Sequence, residues 1–302
     1  MLGDIRIGIS GWRYNGWRGV FYPQGLRQKD ELAFAAHRFR TIEINGTFYS
    51  LQRPEYFTAW RDQTPDDFVF AVKGPRFITH MLKLTRSETP LANFFGNGAL
   101  ALGAKLGPVL WQFPPNFRFN PEKLSEFFAK LPRDTEAAAK LARNHDHRIK
   151  GRAWLRTDAN RALRYAMEIR HESFRCREFI ELLREHNVAL VVADTVDWPL
   201  LFDVTADFVY CRLHGSEQLY ASGYESDALD VWAKRMVAWA KGRELRDGNC
   251  AHAKRATAAP RDVYVYFDND AKVRAPFDAS ALQDKVDSLV HAGGRKHTAR
   301  RA

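Results

Sequence analysis

Long apolar runs are missing from this chain. Its 302 residues are 45% hydrophobic, yet no stretch approaches the ~18 consecutive apolar residues of a membrane-spanning helix, so a soluble globular protein with no membrane role is expected. Cysteine is scarce. Cys176, Cys211 and Cys250 are odd in number and scattered, which excludes a disulfide framework and a CxxC metal site and points to buried or inert thiols. The opening MLGDIRIGIS lacks a basic segment, an apolar segment and a small-residue cleavage site, so no export is expected and the reducing cytoplasm is the expected location. Also absent are GxGxxG after the first strand-like run, GxxxxGK followed by Ser or Thr, and HExxH, which removes the usual nucleotide signatures and the dense zinc motif.

Charge is present in excess of one sign. The formal net charge is +10, which by itself invites a nucleic-acid partner. It is unevenly spread: residues 140–164 hold eight Lys/Arg against two Asp/Glu, residues 241–262 six against three, and residues 291–302 four against none. The remainder of the chain is slightly acidic. Positive charge therefore gathers in connections and a tail, not in the scaffold.

Eight short runs rich in Val, Ile, Phe and Tyr recur along the chain, at 4–10, 40–45, 67–73, 107–113, 164–170, 188–194, 207–215 and 262–270. Helical spacing fills several gaps between them. Asn120 and Pro121 form an N-cap and first-turn pair before an apolar stripe of Leu124, Phe127, Phe128 and Leu131. Phe179, Leu182 and Leu183 repeat the pattern, while Ser226 and Asp278 are expected to cap two later helices. Strand followed by helix, eight times, predicts an α/β fold: a single (β/α)8 TIM-like barrel over residues 1–290. A basic insertion at 134–163 separates strands 4 and 5, residues 241–261 form a loop, and residues 291–302 are expected to be a disordered basic tail.

Side chains of a barrel strand alternate between interior and helices, so each run has a readable phase. Apolar Ile42 and Ile44 facing the helices leave Glu43 and Asn45 inward. The same reasoning turns inward Lys73 in the third run, Glu168 and Arg170 in the fifth, Asp194 in the sixth, and Tyr210, Arg212 and His214 in the seventh. Ser10 and Gln112 end the inward phases of the first and fourth runs, and the eighth is ambiguous between Asp268 and Asn269. These polar groups come late in their strands, the end at which barrel enzymes keep their active sites. Arginines suit bidentate recognition of phosphate or carboxylate, and carboxylates with His supply acid/base groups or ligands for a divalent metal, although no motif requires a cofactor. The opposing structural reading is that some are buried ion pairs, such as Glu168 with Arg212, filling the upper layer of the barrel. Aromatics after the first two runs, Trp12, Tyr14, Trp17, Phe21, Tyr22, Phe48 and Tyr49, fit a packed lid or a stacking surface.

The stretches IGISGWRYNGWRGVFYP (7–23), TIEINGTFYS (41–50), FVFAVKGPRFITH (68–80), LGPVLWQFPPNF (106–117), AMEIRHESF (166–174), VYCRLHG (209–215) and VYVYFDND (263–270) together resemble the YecE-like family, known as domain of unknown function 72. The resemblance runs through nearly the whole chain and implies a TIM-like barrel with no established substrate. It points to Glu43, Asn45, Lys73, Gln112, Glu168, Arg170, His171, Arg212, His214, Asn269 and Asp270. The basic insertion before the fifth run looks longer than a minimal member needs.

These observations lead to a cytoplasmic enzyme acting on a small anionic, phosphorylated or carboxylated substrate by acid/base chemistry, with hydrolysis and isomerisation both compatible. Glu43, Glu168, His214 and Asp194 are the expected catalytic groups. Asn45, Lys73, Gln112, Arg170, His171, Arg212, Asn269 and Asp270 are the expected substrate contacts, with Arg212 foremost. Two other classes compete: a nucleic-acid-binding protein using the basic loops and mouth aromatics, and a non-catalytic ligand sensor or scaffold. No pattern sets an oligomeric state.

Overall fold

The structure, a computed structural model, describes residues 2–215, 219, 222–244, 248–270 and 272–298. Eight parallel strands close into one barrel in chain order: β1 (Ile5–Ser10), β2 (Thr41–Ile44), β3 (Val69–Lys73), β4 (Leu106–Gln112), β5 (Tyr165–Glu168), β6 (Val188–Asp194), β7 (Phe208–Leu213) and β8 (Asp262–Phe267). Helices α1 (Glu31–Ala36), α2 (Gly46–Tyr49), α3 (Pro54–Asp62), α4 (Glu88–Gly96), α5 (Pro121–Lys130), α6 (Thr135–Ala142), α7 (Arg177–Glu185), α8 (Ser226–Ala240) and α9 (Ala275–Thr298) fill the connections. The expected barrel is therefore the observed one.

Two apolar cores follow from strand alternation. Ile42, Ile44, Phe70, Val72, Met167, Cys211 and Leu213 pack outward against the helices. Inside, Ala71, Leu110, Ala166, Ala189, Val191, Ala193, Phe208, Tyr210, Tyr264 and Tyr266 fill the barrel. Four alanines make room for three tyrosines there, so the interior is a packed core and not a channel. Thr41 Oγ1 and Tyr266 Oη lie 2.7 Å apart, satisfying both hydroxyls out of solvent.

Asn120 caps α5 as expected, its side chain accepting from Lys123 N at 2.7 Å. The other two expected caps fail. Ser226 is the first residue inside α8, after Glu225, and Asp278 lies a turn inside α9, where it accepts from Asn269 Nδ2 at 2.8 Å. Each reading took a polar residue before an apolar stripe for the boundary, whereas the helix had already begun. Helix α9 runs to Thr298, and residues 299–302 of the expected tail lie outside the described residues.

The basic insertion is ordered by contacts. Its helix α6 packs on α4, Trp154 N donates to Gly96 O at 2.8 Å, and Arg148 and Arg161 pair with Asp146 and Asp158 inside the insertion itself. The three cysteines are free: Cys211 is buried, Cys176 half-buried and Cys250 exposed. Among the described residues, no helix is long and apolar enough to cross a membrane.

Candidate functional site

Strand register decides which polar residues share the upper layer. Ser10 stands beside Glu43, Gln112 beside Glu168, and Ala193 beside Arg212. Neighbours in a parallel ladder point the same way, so these side chains crowd the C-terminal end of the barrel interior. Arg212 is their hub. It donates through Nη1 to Glu168 Oε2 at 2.6 Å and through Nη2 to Glu43 Oε1 at 3.0 Å, Asp268 Oδ2 at 2.8 Å and Ser10 Oγ at 3.1 Å. Tyr210 Oη donates to the second oxygen of Glu43 at 2.6 Å, and Arg170 grips Glu168 Oε1 through Nε and Nη2 at 2.9 and 2.8 Å. His214 adds Nδ1 at 3.2 Å from Asp268 and Nε2 at 3.6 Å from Glu168.

Electrostatics follow from that wiring. Burial alone would push the Glu168 carboxyl up, but Arg212, Arg170 and His214 outweigh it and hold it well below the usual range. Asp268 behaves alike: burial raises it, and Arg212 and His214 bring it down. Buried charges paired this densely remain ionised because each has charge-assisted partners.

Above this layer opens a cleft of about 770 Å³. Four cations line it, Arg13, Lys73, Arg76 and Arg170, against two carboxylates, Asp268 and Asp270. Lys73, the last residue of β3, is 7% exposed and lies 4.3 Å over the Phe48 ring. Gly74 follows it because a Cβ there would meet the Trp111 ring at 2.3 Å. Burial first, and the Arg212 charge second, lower the Lys73 pKa to about 8 despite nearby carboxylates. Burial beside Asp268 raises Asp270 to about 6. Asn45 donates to Ser10 Oγ at 3.2 Å, leaving its buried Oδ1 without a hydrogen bond among the described residues. Trp12 and Trp60, edge to face at 5.3 Å, form an aromatic wall with Tyr14 and Phe48.

Of the expected site residues, Asn45, Lys73, Gln112, Arg170 and Asp270 line the cleft. Glu43, Glu168, Arg212 and His214 lie fully buried beneath it and do not line it. Arg212, expected to grip the ligand, already spends its planar fork on three carboxylates. Asp194 is misplaced. It pairs in register with outward Leu213 and accepts from Trp232 Nε1 of α8 at 3.3 Å, among the outer helices. Every residue of VALVVAD before it is apolar, so that strand carries no alternation from which to read a phase. Asn269 also turns outward, to Ser222 O and Asp278, leaving Asp268 as the inward residue of the eighth run. His171 caps its own turn by accepting from Ser173 N at 3.0 Å and is absent from the cleft.

Sequence reasoning left Asp268 undecided against Asn269 and missed His80, Arg13 and Arg76. His80 sits in the helical turn Phe77–Met81 after β3, its Nε2 3.5 Å from Gln112 Nε2. Burial, then Arg76 and Arg170, lower its pKa to about 4, which keeps the imidazole neutral. No strand alternation reaches these loop positions, although His80 closes one of the motifs shared with the family resemblance. Among the described residues, no group of three His, Cys, Asp or Glu side chains is arranged to hold a metal ion.

The profile of the family described as "Protein of unknown function DUF72" matches residues 6–300. The chain belongs to the DUF72 family. This DUF72 protein is 34% identical over 145 residues to the UPF0759 protein YecE of Escherichia coli K12, a match covering 42% of the chain and 51% of YecE. It is 30% identical over 130 residues to the UPF0759 protein YunF of Bacillus subtilis, covering 40% of the chain and 44% of YunF. The matches thus span about half the length of these curated relatives. A crystal structure of a DUF72 family protein from Thermotoga maritima superposes with a TM-score of 0.70 at 24% identity, covering 94% of this chain and 99% of that one. Another, from Enterococcus faecalis, gives 0.64 at 18% identity, with 94% and 95% covered. Both similarities establish the DUF72 barrel.

Proposed function

We propose that this barrel is an enzyme that binds a small anionic substrate in the mouth cleft and moves protons on it. The observation that carries this reading is Lys73: a buried cation facing a cleft, with no hydrogen bond or ion pair through its ammonium among the described residues. A buried charge whose only direct contact is the Phe48 ring is expensive to retain unless a ligand supplies a counter-charge. Lys73 and Arg170 hold the anion, with Arg76 and Arg13 at the rim, while Asn45 and Gln112 orient its other polar groups. Asp270 and Lys73, with pKa values of about 6 and about 8, bracket neutrality and form the proton-transfer pair. Asp268 in the cleft, with Glu43, Glu168 and Arg212 beneath it, fixes the field that sets those values.

The nucleic-acid alternative has weaker support. The basic loop at 241–261 leads from α8 into β8 and so lies at the N-terminal end of the strands, opposite the aromatic cleft. A thermal-shift panel of small phosphorylated and carboxylated compounds, each beside its neutral counterpart, tests the proposal. Stabilisation confined to the anions, and lost in Lys73→Met, is expected; equal response to neutral counterparts overturns it.

A further inference from the structure

Among the described residues two lysines are almost fully buried, and they are buried differently. Lys105 is 8% exposed and donates through Nζ to Arg61 O, Thr64 O and Thr64 Oγ1 at 2.6, 2.7 and 3.2 Å. That is how a folded protein satisfies a structural ammonium, which carries three donors. Lys73 is 7% exposed and makes none of these bonds among the described residues. Its amine faces the cleft, with an aromatic face on one side and the buried Arg212 close enough to oppose its charge. An apolar wall and a neighbouring cation are the two devices that turn a lysine into a nucleophile.

We propose that Lys73 acts covalently, its free amine condensing with the carbonyl carbon of an anionic aldehyde or ketone held in the cleft. This deepens the reading above and rests on it, because the cleft cations must hold the anionic group while the carbonyl meets Nζ. The Nζ lone pair forms a bond to the carbonyl carbon and the C=O π pair moves to oxygen. A carboxyl donor, for which Asp270 lines the same cleft, gives that oxygen a proton. Nitrogen passes one of the free amine's two protons to that hydroxyl, water leaves, and the carbon–nitrogen double bond of a protonated imine remains, its nitrogen keeping the other proton. From ammonium and carbonyl to iminium and water, atoms and charge balance without an oxidant or reductant. With the Lys73 pKa near 8, about a tenth of the amine is free at neutral pH, far more than for an ordinary lysine.

Reductive trapping tests the step. The full chain is incubated with substoichiometric pyridoxal phosphate, an anionic aldehyde, reduced with borohydride, and mapped by peptide mass, with the surface lysines as internal controls. The Lys73 peptide is expected to be labelled at least about tenfold faster than any surface lysine. Its labelling rate should rise about tenfold per pH unit up to about pH 8 and then level, whereas surface lysines keep rising. Inorganic phosphate should block it. Lys73→Arg should abolish the adduct while still binding phosphate by calorimetry, which shows that the cleft remains folded. Phosphate binding without an adduct at Lys73 would overturn the covalent role and leave the anion-binding reading intact. Absence of both phosphate binding and adduct would overturn the two together.

Discussion

Arg212 donates through Nη1 to Glu168 Oε2 at 2.6 Å, and neither side chain is more than 1% exposed. This contact joins β7 to β5 across the barrel, and the same guanidinium reaches Glu43 on β2 and Asp268 after β8. One cation thus ties together three carboxylates from elements far apart in sequence. Lys73, which makes no hydrogen bond or ion pair among the described residues, stands above this cross-linked layer.

Arg212 should accordingly behave as scaffold. Removing one partner of a buried ion pair typically costs ~3–5 kcal/mol, so Arg212→Met should strongly lower the urea midpoint. Arg212→Lys keeps the charge but loses the planar fork, and its loss should be smaller but clear. Sulfate affinity of the folded variants should stay near that of the wild type; unchanged stability with weakened sulfate binding would return Arg212 to the ligand site.

Acid stability should report the same layer. Glu168 and Asp268 are held below their ordinary values, so the unfolded chain takes up their protons first as pH falls. Their stabilisation is complete above about pH 4, the unfolded carboxyl range, and is lost as pH drops toward the folded values. Urea midpoints should therefore fall steeply below about pH 4, and Glu168→Gln should flatten that fall. An identical pH slope in the variant would contradict the assignment.

Lys73 should be a residue that costs stability. Its pKa is lowered to about 8 from the ordinary lysine value of 10.5. Below pH 8 both folded and unfolded chains carry the charge, and the folded chain bears the full burial penalty. Between about pH 8 and 10 the unfolded chain holds the extra proton, so native stability rises with pH. Lys73→Met should melt higher than wild type at pH 7, with the gap narrowing above about pH 8. A lower melting temperature at pH 7 would mean that the ammonium is well satisfied where it lies.

Asp270 and Asp194 separate the cleft from its surroundings. With Asp270 raised to about 6, its negative charge appears as pH rises through that value, and affinity for sulfate, whose own charge is constant there, should fall. Asp270→Asn should remove that step. Asp194→Asn, among the outer helices, should leave sulfate affinity unchanged at every pH; an effect as large as that of Asp270→Asn would place Asp194 back at the mouth.

How much of this was readable before the fold depended on alternation. Strands with one polar and one apolar phase gave up their inward residues: Glu43 between Ile42 and Ile44, Arg212 between Cys211 and Leu213. VALVVAD is apolar on both faces and concealed that Asp194 points out. In DVYVYFDND the inward residues are tyrosines, which read equally well as outward core, and Asp268 was passed over for Asn269. The Glu168–Arg212 pair was among the readings open from sequence, but that Glu43 and Asp268, from two other segments, share the same guanidinium was beyond local pattern. Loop residues such as His80 and Arg76 have no period, and only the closed barrel brings them to the cleft.

The central claim is that the mouth cleft holds an anion on Lys73. Calorimetric titration of sulfate into wild type and into Lys73→Met, at pH 7 and low ionic strength, tests it most directly. The account predicts one site in the wild type and at least about tenfold weaker binding in the variant, the equivalent of a single charge contact of ~1.4 kcal/mol, with the variant still folded. Equal affinity in the two proteins would contradict it.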